Sequence, residues 1–156
     1  MKTLTYAFSA LTLTLAVSPT VAFADGHADE TAAERQKVLG FGGFFFRSEN
    51  PRELADWYQE HLGIDPVPTS YEVEPWQQEA GPTVFAPFPR ATEAMGAEGK
   101  EFVLNFRVAD LDAMAAQLRA AGIEVEVDPQ TYPNGRFAGL NDPEGNPIQL
   151  WEPATP

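Results

Sequence analysis

The sequence predicts an α+β fold: two paired strand–helix–three-strand (βαβββ) modules forming a curved sheet trough, with the helices outside. Three observations predict it. The pair Phe46-Arg47 recurs as Phe106-Arg107, and Gly63-Ile64 recurs as Gly122-Ile123. Each interval encloses a helix N-cap and one amphipathic helix, and about three strand-like stretches follow each. The chain also closes on a hairpin whose last arm alternates apolar and polar residues at strand period.

The 156 residues suffice for one domain with a proper core. The first 24 are expected to lie outside it. Lys2 precedes an uncharged apolar stretch over residues 4–17, then Ser18-Pro19 and Ala22-Phe23-Ala24. A basic start, an apolar middle and a small-x-small site mark a secretory signal peptide. The sequence therefore predicts cleavage after Ala24 and a periplasmic or secreted protein. The apolar stretch is too short to span a membrane comfortably, so no membrane partner is expected after its removal. Residues 25–37 read as a flexible acidic leader. Cleavage would expose Asp25-Gly26-His27, whose amine, amides and imidazole match a square-planar Cu(II) or Ni(II) site. A chance histidine in a leader is the plainer reading.

Ten Lys and Arg against 23 Asp and Glu give a net charge of −13. Nucleic acids and anionic surfaces need clustered basic residues and are not expected partners. The chain has no cysteine, which removes disulfides, thiol nucleophiles and thiolate metal sites from consideration.

The domain is expected over residues 38–154, as modules 38–88 and 101–153. Residues 38–47 are apolar, aromatic and glycine-punctuated, so a buried strand. Asn50 is the expected N-cap of a helix, with Pro51 at its first position and Glu53 reaching back as in a capping box. Leu54, Trp57, Tyr58 and Leu62 share one face, and Gly63 ends the helix. His61 sits in the last turn, where it suits the helix dipole. Prolines interrupt residues 64–88, where strands are expected over 69–74, 76–79 and 83–88. Residues 89–100 read as a linker.

The second module opens with a strand over 101–108. Asp110 caps a helix with the apolar face Leu111, Met114, Ala115 and Leu118, and Gly122 terminates it. A strand over 123–127 and a turn-rich crossing over 130–136 lead to the closing hairpin. There Asp142-Pro143-Glu144-Gly145 is a tight turn, with Pro143 fixing φ and Gly145 supplying a left-handed residue. Ile148 and Leu150 should face the core; Gln149 and Trp151 should face the other way.

Trp57-Tyr58-x-x-His61-Leu62-Gly63-Ile64, Val108-Ala109-Asp110-Leu111-Asp112 and the run from Asp142-Pro143-Glu144-Gly145-Asn146 through Gln149-Leu150-Trp151-Glu152 resemble the vicinal oxygen chelate superfamily. That is the glyoxalase, bleomycin-resistance and extradiol-dioxygenase group. The resemblance covers residues 41–64 and 102–153 and implies the paired-module fold. It also implies a divalent metal in the trough, with one ligand on each of four strands. Those positions fall at Gly43, near Ala86, at about Val103 and at Gln149. Three lack a donor side chain, and the two histidines, His27 and His61, lie in the leader and on a helix. Such a metal needs about three protein ligands, so the sequence predicts no metal and no other cofactor. Glu72, Glu74 or Glu79 would restore a ligand only if the strands of 64–88 run in another register.

Alternation places Gly43, Phe45 and Arg47 on one face, likewise Val84, Ala86 and Phe88, Val103, Asn105 and Arg107, and Pro147, Gln149 and Trp151. Trp76 and Tyr132 would close the rim. The candidate ligand-binding residues are thus Phe45, Arg47, Trp76, Phe88, Asn105, Arg107, Tyr132, Gln149 and Trp151. The function expected is binding of a small aromatic or amphipathic molecule in the trough without a metal. The alternatives are a metal-dependent glyoxalase- or dioxygenase-type lyase or oxygenase with non-standard ligands, and a partner-binding protein with an inert trough. No catalytic group stands out, because no serine–histidine pair is present and arginines do not act as bases at neutral pH. The resemblance leaves open whether the trough closes within one chain or across a homodimer.

Overall fold

The structure, a computed structural model, describes residues 36–92, 95–96 and 99–155. The expected signal peptide (1–24), the Asp25-Gly26-His27 terminus and nearly all of the leader lie outside the described residues. The described chain falls into two units, residues 36–46 and the residues from Arg47 onward.

Residues 36–46 hold no strand, although a buried one is expected from residue 38. Gly40, Gly42 and Gly43 occupy three of four successive positions, and ordering them costs backbone entropy with no side chains to pack. Val38, Leu39 and Phe45 are exposed, and the Phe44 and Phe46 rings meet at 5.7 Å.

The larger unit contains helix α1 (Pro51–Leu62), strand β1 (Leu104–Arg107), helix α2 (Leu111–Ala120), and strands β2 (Glu126–Val127), β3 (Gly135–Asn141) and β4 (Pro147–Pro153). The four strands form one mixed sheet in the order β1-β4-β3-β2. β1 runs parallel to β4, and the other pairings are antiparallel. The architecture is α+β, and the second half of the chain alone builds a strand–helix–three-strand unit.

The first half contributes a helix to this unit but no strand. The strands expected over 69–74, 76–79 and 83–88 are absent. Pro66, Pro68, Pro75, Pro82 and Pro87 each remove a ladder donor. Val67, Tyr71, Val73, Val84 and Phe85 along this stretch are exposed.

The core lies between α2 and the sheet. Leu111, Ala115 and Leu118 on α2 are almost wholly buried, as are Ala138 and Leu140 of β3 and Ile148 and Leu150 of β4. Burying each leucine or isoleucine contributes roughly 1.5–3 kcal/mol. Asp110 caps α2 by accepting the Ala113 amide at 2.9 Å, and Gly122 follows the helix at φ +82°. Gly63 ends α1 at φ +67°, a left-handed conformation that glycine adopts without strain.

The start of α1 departs from expectation. Asn50 makes no side-chain cap. Its backbone N–H, which a capping box would give to Glu53, instead donates to Glu144 Oε1 at 2.9 Å. Among the described residues, no helix is long and apolar enough to cross a membrane.

Candidate functional site

Strand register decides what the sheet presents on the side away from α2. Across that face, Asn105 of β1 lies opposite Gln149 of β4, which lies opposite Gly139 of β3 and, through it, Glu126 of β2. The next row contains Arg107, Trp151 and Phe137. Residues directly opposite in neighbouring strands point the same way, so these side chains share a surface while Ile148 and Leu150 point into the core.

The first row is polar. Asn105 Nδ2 donates to Gln149 Oε1 at 2.7 Å; Asn105 is exposed and Gln149 half-buried. The second row is aromatic and committed. Phe137 stacks on Trp151 with ring centroids 6.3 Å apart and planes at 9°. Tyr132 meets Phe137 edge-on at 5.7 Å. Trp151 is only 7% exposed, and its Nε1 donates to the Asn134 carbonyl at 2.8 Å. The Tyr132 hydroxyl donates to Asp128 Oδ2 at 2.9 Å, and this bond holds the phenol pKa above its usual value. Arg107 donates to the backbone carbonyls of Glu79 and Ala80. The guanidinium thus ties residues 79–81 to the end of β1.

Five of the nine candidate residues therefore gather around this face: Asn105, Arg107, Tyr132, Gln149 and Trp151. Trp76, Phe88 and Arg47 do not. Phe45 is 92% exposed and lies in the separate unit 36–46. Trp76 is half-buried and Phe88 is 43% exposed on the strandless segment. Among the described residues, no ring contact joins either to the Phe137–Trp151 stack. Arg47 lines a different feature, an open cleft of about 590 Å3 shared with Ser48, Lys100, Glu144 and Asn146. Alternation had placed Phe45, Arg47 and Phe88 on an inner wall, with Trp76 at its rim, but alternation applies only where a strand exists.

That cleft borders a network missed by the sequence reasoning. The closing turn forms as its residues dictate: Gly145 at φ +72° donates its amide to the Asp142 carbonyl at 2.9 Å. The Asp142 side chain, 5% exposed, then takes four hydrogen bonds. Oδ1 accepts from the amides of Glu144 and Asn146, and Oδ2 from Asn146 Nδ2 and the Tyr58 hydroxyl. Burial, and then the bond to Asp142, push the Tyr58 pKa up, so the phenol is a permanent donor. Lys100 Nζ donates to Asn146 Oδ1 and the Glu144 carbonyl. Glu144 Oε1 accepts from Ser48 Oγ at 2.7 Å and from the Asn50 amide. These two donors, Asn50 first, hold its pKa below the usual carboxylate value. The motif's turn chemistry was legible; that Glu144 would hold the start of α1 and Asp142 its Tyr58 was not.

The metal positions implied by the superfamily resemblance do not fit a divalent ion. Gly43, Ala86 and Val103 have no donor side chain, and Gln149 Oε1 is already bonded to Asn105. Glu72, Glu74 and Glu79 are all exposed. Among the described residues, no group of three or more His, Cys, Asp or Glu side chains is placed to hold a metal.

A family model described as a glyoxalase-like domain matches residues 43–151. The chain belongs to the glyoxalase-like domain family. That membership puts it in the vicinal oxygen chelate superfamily. The uncharacterized protein YaeR of Escherichia coli (strain K12) is 33% identical over 113 residues, spanning 70% of this chain and 78% of that one. Among solved structures, a glyoxalase/bleomycin resistance protein from Streptomyces sp. CB03234 is 38% identical with a TM-score of 0.30. It covers 33% of this chain and 46%, less than half, of its own. TnmS3, an antibiotic binding protein from the same organism, is 28% identical with a TM-score of 0.43, over 66% of this glyoxalase-like chain and 87% of its own. These structural overlaps are partial, and the family assignment rests on the sequence matches.

Proposed function

We propose that this glyoxalase-like protein is exported and binds a small, aromatic or amphipathic molecule against the face carrying Asn105 and Gln149, without a metal. The observation that carries the reading is the Asn105–Gln149 hydrogen bond. The last-strand position at which the superfamily's metalloenzymes present a carboxylate is held here by a neutral amide, and its oxygen is engaged by another amide. Amides beside an aromatic stack suit recognition of a flat, moderately polar molecule better than Lewis-acid chemistry. Export rests on the pattern of residues 1–24.

A thermal-shift screen against small aromatics and glutathione conjugates, run in EDTA, tests the reading. Stabilisation by members of the panel in the chelator supports it. No shift from any compound would favour a partner-binding role with an inert face. A response that appears only after divalent metal is added would favour the metal-dependent alternative.

A further inference from the structure

We infer from the Asn105–Gln149 pair that the ligand presents an amide-type edge, a hydrogen-bond donor beside an acceptor, as in a lactam or a carboxamide. This inference rests on the metal-free binding reading above and narrows its ligand class.

The two side chains together bring two carbonyl oxygens and two NH2 groups. Their mutual bond at 2.7 Å commits one N–H and one lone pair. Each amide keeps one whole group outside that bond: Asn105 Oδ1, an acceptor, and Gln149 Nε2, a donor, on adjacent strands in register. Exchanging O and N in both amides reverses the internal bond and leaves the same inventory, one carbonyl oxygen and one NH2. The bond also restrains both amides, so donor and acceptor are held ready before a ligand arrives. An acceptor and a donor presented by neighbouring side chains match an edge that offers a donor and an acceptor, the complementarity by which a single Asn or Gln amide reads adenine.

The rest of the face argues against an anion. Arg107, the one cation in these two rows, is engaged by the carbonyls of Glu79 and Ala80. The Trp151 N–H is taken by Asn134. Glu126, at the far end of the amide row, adds a negative charge that disfavours carboxylates and phosphates. A neutral ligand that both gives and accepts a hydrogen bond is the one these groups satisfy.

Titration calorimetry with carbostyril, a benzo-fused lactam, its N-methyl derivative and naphthoate tests this. N-methylation removes the donor and leaves the ring and carbonyl. The wild-type protein should bind carbostyril about fivefold or more tightly than the N-methyl compound, the effect of roughly one net hydrogen bond, and bind naphthoate more weakly still. Asn105→Ala, at an exposed position, and Gln149→Met should each bring the two lactams towards parity by weakening carbostyril alone. Equal affinity for the two lactams in the wild type, tighter binding of naphthoate, or a preference that survives both substitutions would overturn the inference. Aromatics binding without preference would sink this inference and spare the binding function; no binding by any of them would sink both.

Discussion

The hydroxyl of Tyr58, in the middle of α1, donates to Oδ2 of Asp142 at 2.9 Å across 84 residues of sequence. Both side chains are buried. The Tyr58 ring also meets Phe106 of β1 at 6.4 Å. One side chain thus joins the helix of the first half to the closing turn and the edge strand of the second. Asp142 is the hub, because the bonds that shape its own turn converge on the carboxylate that receives Tyr58.

Tyr58→Phe should therefore destabilise the protein by about 1–3 kcal/mol, the cost of removing a donor from a buried acceptor. Urea denaturation would measure it. Asp142→Ala should cost more, because it strands Tyr58 and Asn146 together and releases two turn amides. Tyr58→Phe at wild-type stability would mean that α1 is not held through this bond.

Acid should loosen the start of α1. The Glu144 pKa is lowered from its ordinary 4.5 by the Asn50 amide and then the Ser48 hydroxyl. A carboxyl with a depressed folded pKa contributes stability above its unfolded pKa and loses that contribution as pH falls through the folded value. Stability measured downward from about pH 4.5 should fall less steeply in Glu144→Gln than in the wild type. Identical acid profiles would remove Glu144 from the account.

The segment 79–81 should depend on Arg107. A Cβ on Gly81 would collide with the Arg107 guanidinium, so Gly81→Ala must displace the group that holds the Glu79 and Ala80 carbonyls. Gly81→Ala and Arg107→Ala should both speed protease cleavage near these residues, with the far-ultraviolet circular dichroism unchanged. Mass mapping of limited digests would show it. Unaltered cleavage in both variants would contradict the tether.

The core under α2 should behave as a packed interior. Leu118→Ala, at a fully buried position, should cost about 2–5 kcal/mol through lost burial and the cavity left behind, measurable as a lowered denaturation midpoint.

What could be read in advance was local. Helix α2 follows from Asp110, its apolar face and Gly122, and the closing hairpin from Asp142-Pro143-Glu144-Gly145 and the alternation after it. Each signal sits within a few residues of its effect. Alternation likewise put Asn105 and Arg107 on one face of β1, and Gln149 and Trp151 on one face of β4. Three things escaped. The reach of Glu144 to Asn50 spans 94 positions and leaves no periodic trace. Trp151 reads as a wall residue, yet its N–H closes on Asn134 and its ring on Phe137, partners that alternation alone does not supply. Along residues 64–88 the apolar content suggests strands, while five prolines remove the donors that a ladder needs.

A glyoxalase-like face that binds through neutral amides needs no ion. Elemental analysis of the purified full-length protein, with and without prior EDTA, tests it most directly. Zinc, nickel, iron and manganese should each lie far below one equivalent, and the chelator should leave ligand binding unchanged. A stoichiometric metal that EDTA removes, taking ligand binding or a catalytic turnover with it, would contradict the account.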